Sequence, residues 1–398
     1  MANNLSAMNP ELWMSSIQDW LNPRLVAEEI CSMKWNNMLR SGDMVRWQSI
    51  ADFRVQDYTP GTDLTIDDMT AADSTLTITR SKAATGYIDP QEVKQAEPKE
   101  YVAKSTRQMA FSLARELDQH VLSTGISAVT SGNTVSGGTV SLSSSNIFNK
   151  FAEAKGILSE NNAIDGRGLF AVVNPTATAK MSVANVVNGF KLADDALTKG
   201  ISQLYAEFDG FRIYESNDLP TTVTLTLATQ PTAGDTFTVH GVTFTFVASG
   251  TAANAGEISI GTNAAAAQAN VVLALNGTGT PGTGTYIDVS AENRRKLQAV
   301  ALSCSSFSTN VATLTSTGSI RGSETLTAAA DGFGTETTTF LFGAIGAIAC
   351  ARQMGPQVYF KPAPKQLGDN VLAHQLYGDA VFSRDVARLA KLSVVNAY

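Results

Sequence analysis

The chain has 398 residues, of which 43% are hydrophobic and only 16% are charged, and its formal net charge is −7. A chain of this length exceeds what one hydrophobic core usually supports, so we expect at least two folded units. The negative charge argues against tight, sequence-independent binding to nucleic acid, which requires a clustered basic face. Because charged residues are scarce, much of the surface must be neutral or covered by neighbouring molecules.

The cysteines and the apolar stretches narrow the class of protein further. Cys31, Cys304 and Cys350 are odd in number and widely spaced in apolar surroundings, which predicts buried thiols rather than a disulfide framework. The N-terminus lacks the basic and apolar regions of a signal peptide. The most apolar stretch, Phe340 to Ala351, is about 12 residues long, whereas a bilayer requires about 20. We therefore predict a buried helix there and no membrane partner.

The first 40 residues predict an N-terminal arm. Trp13, Trp20 and Trp35 are spread over this region, which contains scattered helical pieces. Aromatic side chains are favoured where one protein surface contacts another. We therefore expect the tryptophans of the arm to contact a partner surface.

A projecting β-hairpin is predicted next. Met44 to Asp57 and Ser74 to Asp89 contain β-branched and aromatic residues in partial alternation. The residues between them are rich in proline, glycine, aspartate and threonine, as in an exposed loop. Since an isolated pair of strands is only marginally stable in water, this hairpin, within residues 41–96, requires a surface on which to lie.

A long helix is predicted after the hairpin, over residues 98–124. Its apolar positions recur at three- and four-residue steps and form one stripe. The stripe consists of Val102, Thr106, Met109, Leu113, Leu117 and Val121. Pro98 suits a first helical turn, and Gly125 can adopt the left-handed conformation that ends a helix. The helix would be on the order of 40 Å long, which exceeds the average for globular proteins.

Alternating α and β elements are predicted between this helix and residue 220. After a Ser/Gly/Thr-rich stretch, the pattern predicts a helix from Asn146 to Glu160, a strand that ends at Pro175 and a helix from Thr176 to Val187. A strand with its exit turn is expected at Asp209 to Pro220. We expect these elements to be arranged around one sheet.

The composition changes abruptly at Thr221. From there threonine alternates with valine, leucine or phenylalanine, which is the strongest strand pattern in the chain. His240-Gly241 separates two such runs and predicts a tight hairpin turn, and a helix is expected from Asn263 to Leu275. Because the elements before and after this region require each other, we predict that residues 221–337 form an inserted β-rich domain. A further strand pair, from Val371 to Val394, is expected to close the chain.

The sequence carries no specific catalytic or ligand-binding pattern. The three histidines, His120, His240 and His374, are expected in different parts of the fold, which argues against a catalytic triad. The glycine spacing at residues 277–282 matches a dinucleotide-binding motif, but the expected helix precedes it instead of following it, so we predict a flexible loop. Neither a P-loop nor a histidine pair with metal-ligand spacing occurs. We therefore predict no enzyme activity, no cofactor and no metal.

The order of these elements resembles the major capsid protein of tailed bacteriophages, which has the α+β Hong Kong 97-type fold. More closely, it is similar to the branch of that family that carries an inserted domain. The resemblance is carried by the long helix at Ala114 to Leu122, the core strand and helix at Gly168 to Met181, the strand at Gly210 to Pro220, and the closing strand with its tyrosine-glycine turn at Leu376 to Leu392.

The resemblance implies a division of the chain. Residues 1–40 would be the N-terminal arm, residues 41–96 the E-loop, and residues 97–175 and 365–398 the P-domain, with its spine helix at 98–124. Residues 176–220 and 338–364 would form the A-domain, interrupted by the inserted β-rich domain at 221–337. The inserted domain would serve either as a folding and stability aid within the subunit or as a contact on the capsid exterior.

The resemblance also implies a structural, non-enzymatic function. Copies of the chain would self-assemble as hexamers and pentamers into the icosahedral head of the virion, which encloses double-stranded phage DNA without sequence-specific contact. A separate scaffolding protein and a portal protein are implied, assembly would take place in the host bacterial cytoplasm, and a decoration protein is allowed. The candidate residues for contact between subunits are Trp13, Trp20, Trp35, Tyr58, Asp63, Asp67 and Asp68.

Two other interpretations remain open on the sequence alone. A bacterial surface or adhesin-like protein built around the threonine-rich β-domain would explain the low charge, but it would carry a secretion signal. A phage tail-tube or tail-sheath subunit would also self-assemble, but it would lack a long helix after a hairpin.

Overall fold

The structure is a computed structural model, and it describes residues 25–37, 42–50, 55–66, 71–89, 101–164, 166, 168–187, 207–320, 322–328, 331–363 and 368–396. Within these residues the α-helices are α1 (Ala27–Ile30), α2 (Tyr101–Ala128), α3 (Ile147–Glu160), α4 (Pro175–Val187), α5 (Ala264–Asn276) and α6 (Ala291–Ala299). The strands of the first half are β1 (Met44–Ile50), β2 (Ala71–Thr77), β3 (Arg80–Ile88), β4 (Thr134–Val140), β5 (Leu169–Val173), β6 (Glu207–Phe208), β7 (Phe211–Glu215) and β8 (Pro220–Thr226). The remaining strands are β9 (Thr236–Val239), β10 (Val242–Val247), β11 (Glu257–Ser259), β12 (Ser303–Cys304), β13 (Val311–Thr317), β14 (Ser323–Thr325), β15 (Gly332–Phe333), β16 (Thr337–Ala344), β17 (Ala349–Pro362), β18 (Asp369–Ala380) and β19 (Leu389–Val395).

The largest sheet is organised around β16. Along one edge β16 pairs antiparallel with β19, and along the other it pairs with β5 and β8. From β5 the sheet continues in parallel to β7 and then antiparallel to β6, while β19 pairs in parallel with β4. The expectation that the elements before residue 220 surround one sheet is confirmed. Strand β4 was not predicted, because its Ser/Gly/Thr-rich sequence lacks the alternation of a strand.

The stretch Phe340 to Ala351 is not the buried helix that the sequence predicts. It forms the end of β16, a turn and the start of β17. Phe340, Leu341 and Phe342 are all fully buried. An apolar run without alternation is compatible with either a buried strand or a buried helix, and a length of about 12 residues favours the helix. Here a turn at Ile345 and Gly346 divides the run between two strands instead.

The predicted long helix is confirmed as α2, which has 28 residues. Leu113, Leu117 and Val121 of its apolar stripe are buried. The prediction that Gly125 ends the helix is wrong, because the helix continues to Ala128. A β-carbon at Gly125 would come within 2.7 Å of Ile348 Cδ1 and 2.9 Å of a methyl group of Leu341, so glycine allows the helix to pack closely against the central sheet. The predicted start at Pro98 lies outside the described residues.

A second sheet contains β17, β18 and β3, and α2 packs against it. The predicted tyrosine-glycine turn is wrong, because Tyr377 and Gly378 lie inside β18. A β-carbon at Gly378 would lie 2.2 Å from the carbonyl oxygen of Thr77, so only glycine permits the chain between β2 and β3 to cross here. The closing strand pair is also wrong, since β18 and β19 belong to different sheets.

Residues 223–333 contain a second cluster of buried apolar side chains, separate from the one around β16. Strands β8, β12, β13 and β15 extend the large sheet into this region, and β9, β10, β11 and β14 form a four-stranded sheet. The predicted turn at His240-Gly241 is confirmed, because both residues have positive φ, 51° and 74°, as a two-residue hairpin turn requires. That this region is an inserted domain stays a prediction.

Helix α5 begins and ends close to the predicted positions. The Asn263 side chain accepts a hydrogen bond from the Ala266 N–H (2.9 Å), and Gly277 follows the helix in the left-handed conformation. The glycine-rich segment after it is an ordered turn, in which the Tyr286 hydroxyl donates to the Thr278 carbonyl (2.9 Å). Helix α6 was not predicted, because it is almost entirely polar and buries only Leu297.

The predicted hairpin is confirmed as β1 and β2, which pair antiparallel along their whole length. The predicted strand from Ser74 to Asp89 is divided into two. Its first residues, up to Thr77, belong to β2 and pair with β1, and the rest forms β3, which pairs with β18 in the second sheet. Leu76 at this point is fully buried and packs with Trp35 and Phe382. The base of the hairpin is therefore attached to the body of the protein.

Candidate assembly surfaces

Residues 55–66, which we call the hairpin loop, have a defined conformation. The Gln56 side chain donates to the Thr65 carbonyl (2.6 Å) and accepts from the Thr65 N–H (3.2 Å). The Thr62 N–H donates to the Thr59 carbonyl (3.1 Å), closing a turn in which Gly61 has a φ of +91°. The loop therefore presents its side chains on a preformed backbone.

The hairpin loop exposes a large amount of apolar surface. Its large exposed apolar side chains are Val55 (96%), Ile66 (91%), Tyr58 (65%) and Leu64 (51%). Asp57 and Asp63 are exposed beside them, and neither has an ion-pair partner among the residues that the structure describes. Apolar side chains exposed together mark a site of contact with another molecule.

A cleft of about 540 Å³ lies at the base of the hairpin. Its apolar wall contains Trp35, Trp47 of β1, and Phe382 from the connection between β18 and β19. The centre of the Trp35 ring lies 5.3 Å from that of Trp47 and 5.7 Å from that of Phe382, and both pairs meet edge to face. We call this cavity the aromatic cleft.

The rim of the aromatic cleft is cationic. Lys34 and Arg384 line it, both are exposed, and neither has an acidic partner within the described ranges. Arg388 also lines it, but Arg388 forms an ion pair with Asp385 (3.0 Å). Two uncompensated cations beside aromatic rings suit an acidic and partly apolar ligand.

Residues 25–37 are attached to α2 through Asp118. Its Oδ1 accepts hydrogen bonds from the backbone N–H groups of Val26 (2.7 Å) and Ala27 (2.5 Å). Burial raises the pKa of the Asp118 carboxyl to about 6, although these two hydrogen bonds oppose the shift. The other oxygen, Oδ2, is buried without a hydrogen-bond partner among the described residues. This part of the predicted arm thus belongs to the core.

Polar contacts join α2 to the second sheet. The Tyr377 hydroxyl donates to Glu116 (2.5 Å), and Glu116 forms an ion pair with Lys82 of β3 (2.8 Å). Burial and then the Glu116 carboxylate raise the pKa of Tyr377, so the phenol stays protonated. On the same helix His120 Nδ1 lies 2.7 Å from Asp379 Oδ1. These contacts fix the position of α2 on the sheet.

The histidines do not assemble a catalytic triad in the described part of the chain. His120 and His374 lie on α2 and β18, which pack together, so the expectation that they occupy different parts of the fold is wrong. His374 Nε2 lies 2.9 Å from Ser81 Oγ, but His374 has no carboxylate partner among the described residues. A serine-histidine pair without a carboxylate lacks the group that orients the imidazole.

A buried ion pair joins α2 to the start of the second cluster of buried side chains. Arg115 binds Asp218 through two nitrogens, at 2.6 and 2.9 Å, and Asp218 is fully buried. Gln119 donates to Asp218 (3.1 Å) and to the carbonyl of Ala299 (3.3 Å) at the end of α6. Residues on both sides of position 221 are therefore tied to the same helix.

The predicted buried thiols are confirmed, because Cys31, Cys304 and Cys350 are free and buried. Burial raises the pKa of Cys304 and of Cys350 to about 12, which keeps both thiols protonated and unreactive at neutral pH. Among the described residues, none of the helices has the length and hydrophobicity needed to cross a bilayer. The same residues include no group of three or more His, Cys, Asp or Glu side chains placed to hold a metal ion.

Comparison with known proteins identifies the fold. No protein-family model and no curated protein matches the chain. Among solved structures, a chain of Mycobacterium phage Che8 is 14% identical with a TM-score of 0.56, and the match covers 97% of this chain and 96% of that one. The capsid of cyanophage P-SCSP1u gives 12% identity and a TM-score of 0.53, with 100% and 96% covered. The mature capsid of bacteriophage PhiM1 gives 10% identity and a TM-score of 0.52, with 98% and 93% covered. The chain has the fold of phage capsid proteins.

This capsid fold confirms the predicted α+β, Hong Kong 97-type class. The likeness extends over nearly the whole length of the chain and of its structural neighbours, so the capsid fold is not confined to one segment. At these identities the likeness establishes the fold.

The predicted contact residues fall into three groups: those outside the described residues, those exposed on the hairpin loop, and the buried Trp35. Trp13, Trp20, Asp67 and Asp68 lie outside the described residues. Tyr58 and Asp63 are exposed on the hairpin loop, as contact between copies requires. Trp35 is only 9% exposed and packs against its own chain, where it forms a wall of the aromatic cleft. Contact between subunits stays a prediction for all of these residues.

The cleft residues Lys34, Trp47, Phe382 and Arg384 were not among the predicted contact residues. They come from two regions, 34–47 and 382–384, that are far apart in the sequence. Neither their spacing nor the local composition signals that they meet, so only the fold reveals the cleft.

Proposed function

We propose that the chain is a major capsid protein, which self-assembles into the icosahedral head of a tailed phage. The observation that carries this proposal is the match to capsid structures over at least 98% of this chain and 93% of theirs. Its function on this proposal is structural and requires no catalysis, cofactor or metal. Each chain would serve as a building block of the shell and would contact its neighbours through its surfaces.

The charge and composition of the chain support this function. A shell subunit hides much of its surface against its neighbours, so it can have few charged residues, and here only 16% are charged. A net charge of −7 allows the shell to enclose double-stranded DNA without gripping the phosphates. We propose that the chain contacts packaged DNA without reading its sequence.

We propose that assembly proceeds through hexamers and pentamers. A single contact of standard size, about 1,600 Å², can be weak, but a subunit that makes several such contacts is held by multivalency. A separate scaffolding protein and a portal protein are proposed partners, and a decoration protein is allowed. The proposed location is the virion shell, with assembly in the host cytoplasm.

We also propose that the domain division implied by the resemblance holds. The segment 221–337 would be an inserted β-rich domain, supported by the separate cluster of buried side chains within residues 223–333. The strands of this segment bury valine, leucine or phenylalanine on one side and present mostly threonine on the other. Such a segment can stabilise the subunit, contact the exterior of the shell, or do both.

The proposal is tested by removing the hairpin loop. Because the Gln56 side chain is hydrogen bonded to the Thr65 backbone, the two ends of the loop lie close together, and residues 57–64 can be replaced by a short, flexible Gly-Ser linker. We expect the variant to remain folded and soluble but to sediment as small species under conditions in which the unchanged protein forms shells. Shells of normal size from the variant would contradict a role for the loop. An unchanged protein that never assembles would contradict the proposed function itself.

A further inference from the structure

The aromatic cleft carries positive charge, although the chain as a whole is negative. Its charged lining residues are three cations and one carboxylate: Lys34, Arg384, Arg388 and Asp385. Arg388 is neutralised by its ion pair with Asp385 (3.0 Å), so two positive charges remain in a chain of net charge −7. Positive charge concentrated in a cavity favours an anionic ligand. A phosphate monoester, which carries about −1.5 to −2 charges at pH 7, would balance it.

Trp47 gives the cleft an accessible aromatic ring. It is 48% exposed, whereas its neighbours in the wall, Trp35 and Phe382, are 9% and 7% exposed. Packing fixes its orientation, because the Trp47 ring meets the Trp35 ring at 79° with the centres 5.3 Å apart. A fixed and accessible indole ring is suited to stacking on a planar ligand, and nucleobases stack on aromatic side chains in this way.

Asn162 adds a hydrogen-bonding group to the same cleft. It follows α3 in the left-handed conformation, with a φ of 54°, and its N–H donates back to the Ser159 carbonyl (3.0 Å). Its exposed carboxamide lines the cleft and has no hydrogen-bond partner among the residues that the structure describes. A carboxamide has one donor and one acceptor group, which is the pair that matches the N6 and N7 atoms of adenine.

The size of the cleft limits the form in which a base can bind. About 540 Å³ lies within the roughly 300–1,000 Å³ of sites for small molecules. The bases of a duplex are already paired and stacked, so only an unpaired base can stack on a side chain in a cleft. These constraints favour a single nucleotide over duplex DNA.

We propose that the aromatic cleft binds one adenine nucleotide, as the free 5′-monophosphate. The base stacks on Trp47, Asn162 hydrogen bonds to its N6 and N7 edge, and the phosphate lies between Lys34 and Arg384. The ligand thereby joins residues 25–37, β1, the end of α3 and the connection between β18 and β19. Because the site lies within one copy of the chain, this inference goes beyond the proposed shell function and does not depend on it.

Isothermal titration calorimetry of the full-length protein with adenosine 5′-monophosphate tests the proposal. We expect saturable binding of one nucleotide per chain. Adenosine and inorganic phosphate, each of which supplies only half of the contacts, should bind at least tenfold more weakly. Higher salt should weaken the binding of the nucleotide more than that of adenosine, because salt screens the attraction between phosphate and cations.

The charge of the cleft is tested by Lys34→Gln with Arg384→Gln, which changes two exposed residues. We expect this cation variant to bind adenosine 5′-monophosphate at least tenfold more weakly and to bind adenosine as the wild type does. The matched control is Arg295→Gln with Lys361→Gln, which also removes one arginine and one lysine from exposed positions outside the cleft. The nucleotide should raise the melting temperature of the wild type and the control, but not that of the cation variant.

Two further variants test the contacts with the base. Trp47→Leu removes the stacking ring and should weaken the binding of both adenosine and its monophosphate at least tenfold. Asn162→Gly removes the carboxamide, and glycine retains the left-handed backbone. We expect the wild type to prefer adenosine 5′-monophosphate over uridine 5′-monophosphate, and the glycine variant to lose this preference. An unchanged preference would overturn the role of Asn162.

Absence of binding at millimolar adenosine 5′-monophosphate, or equal affinity in the wild type and the cation variant, would overturn the proposal. Tighter binding of single-stranded oligoadenylate, by tenfold or more, would assign the cleft to a nucleic-acid strand instead. Displacement of the nucleotide by a lower concentration of an acidic, tyrosine-containing peptide would assign it to a protein. Electron microscopy scores shell formation separately, so any of these results would leave the proposed function standing.

Discussion

The hydroxyl groups of Thr221 and Thr338 lie 2.9 Å apart, where the chain leaves the central sheet and returns to it. Their neighbours Thr222 and Thr337 are paired across β8 and β16, and the hydroxyl groups of that pair are 2.8 Å apart. More than one hundred residues separate the two threonines of each pair in sequence. The ends of the segment 223–336 are therefore joined like the two sides of a hairpin turn.

This geometry predicts that the segment can be removed. Replacement of residues 223–336 by Asn-Gly joins Thr222 to Thr337 through a two-residue turn. We expect the shortened chain to fold, because the cluster of buried side chains around β16 contains no residue of the removed segment. Circular dichroism should show a cooperative thermal transition. A shortened chain that aggregates or melts without cooperativity would contradict the proposal that this segment is a separate, inserted domain.

Asp118 is expected to make stability depend on pH. Burial raises its pKa to about 6, above the value of about 3.9 in an unfolded chain, so the folded protein takes up a proton in this range that the unfolded chain does not. The stabilisation is present at pH 4 and is lost as the pH rises through 6. The difference between the two pKa values corresponds to roughly 3 kcal/mol.

The matched variant is Asp118→Asn, which stays neutral while its amide oxygen can still accept from Val26 and Ala27. We expect its free energy of unfolding at pH 7 to be equal to or above that of the wild type. Urea denaturation from pH 4 to pH 7 should show that the wild type loses stability relative to Asp118→Asn. Parallel pH profiles for the two proteins would rule out the titration of this carboxyl.

Gly378 is expected to be required for the full stability of the fold. A β-carbon there would lie 2.2 Å from the backbone oxygen of Thr77, and a backbone atom cannot move aside as a side chain can. We expect Gly378→Ala to reduce the free energy of unfolding by about 3 kcal/mol, as overpacking in a core does. Gly138→Ala is the control, because no atom lies within 4 Å of a β-carbon at Gly138. Equal losses of unfolding free energy in both variants would contradict the close contact between Gly378 and the Thr77 carbonyl.

The hydroxyl of Tyr377 is expected to stabilise the contact between α2 and β18. Tyr377→Phe removes the hydrogen bond to Glu116 and keeps the ring in its buried position. Since hydrogen bonds to charged groups contribute about 1.5–3 kcal/mol, we expect a loss in that range in chemical denaturation. Tyr359→Phe changes an exposed tyrosine and should have almost no effect. A null result for Tyr377→Phe would mean that Glu116 is satisfied by Lys82 alone.

The elements predicted correctly from the sequence are those with local patterns. Helix α2 has a continuous apolar stripe, and the turn at His240-Gly241 is flanked by clear alternation. The end of β16 was misassigned because its apolar run has no period, and α6 was missed because it buries only Leu297. The order of the predicted elements, rather than any single motif, pointed to the capsid fold.

The candidate surfaces could be predicted only in part. The hairpin loop is one continuous segment whose composition indicates exposure, so Tyr58 and Asp63 could be named in advance. The aromatic cleft combines Trp35, Trp47 and Phe382, which meet only after β1 and β18 have been placed beside the arm segment. Long-range contacts of this kind leave no trace in local spacing.

The central claim, that copies of this chain build a closed shell, is tested most directly by electron microscopy of the purified full-length protein. The account predicts closed particles whose walls show both fivefold and sixfold clusters of subunits. Open tubes, or single molecules that remain monomeric at high concentration, would contradict it.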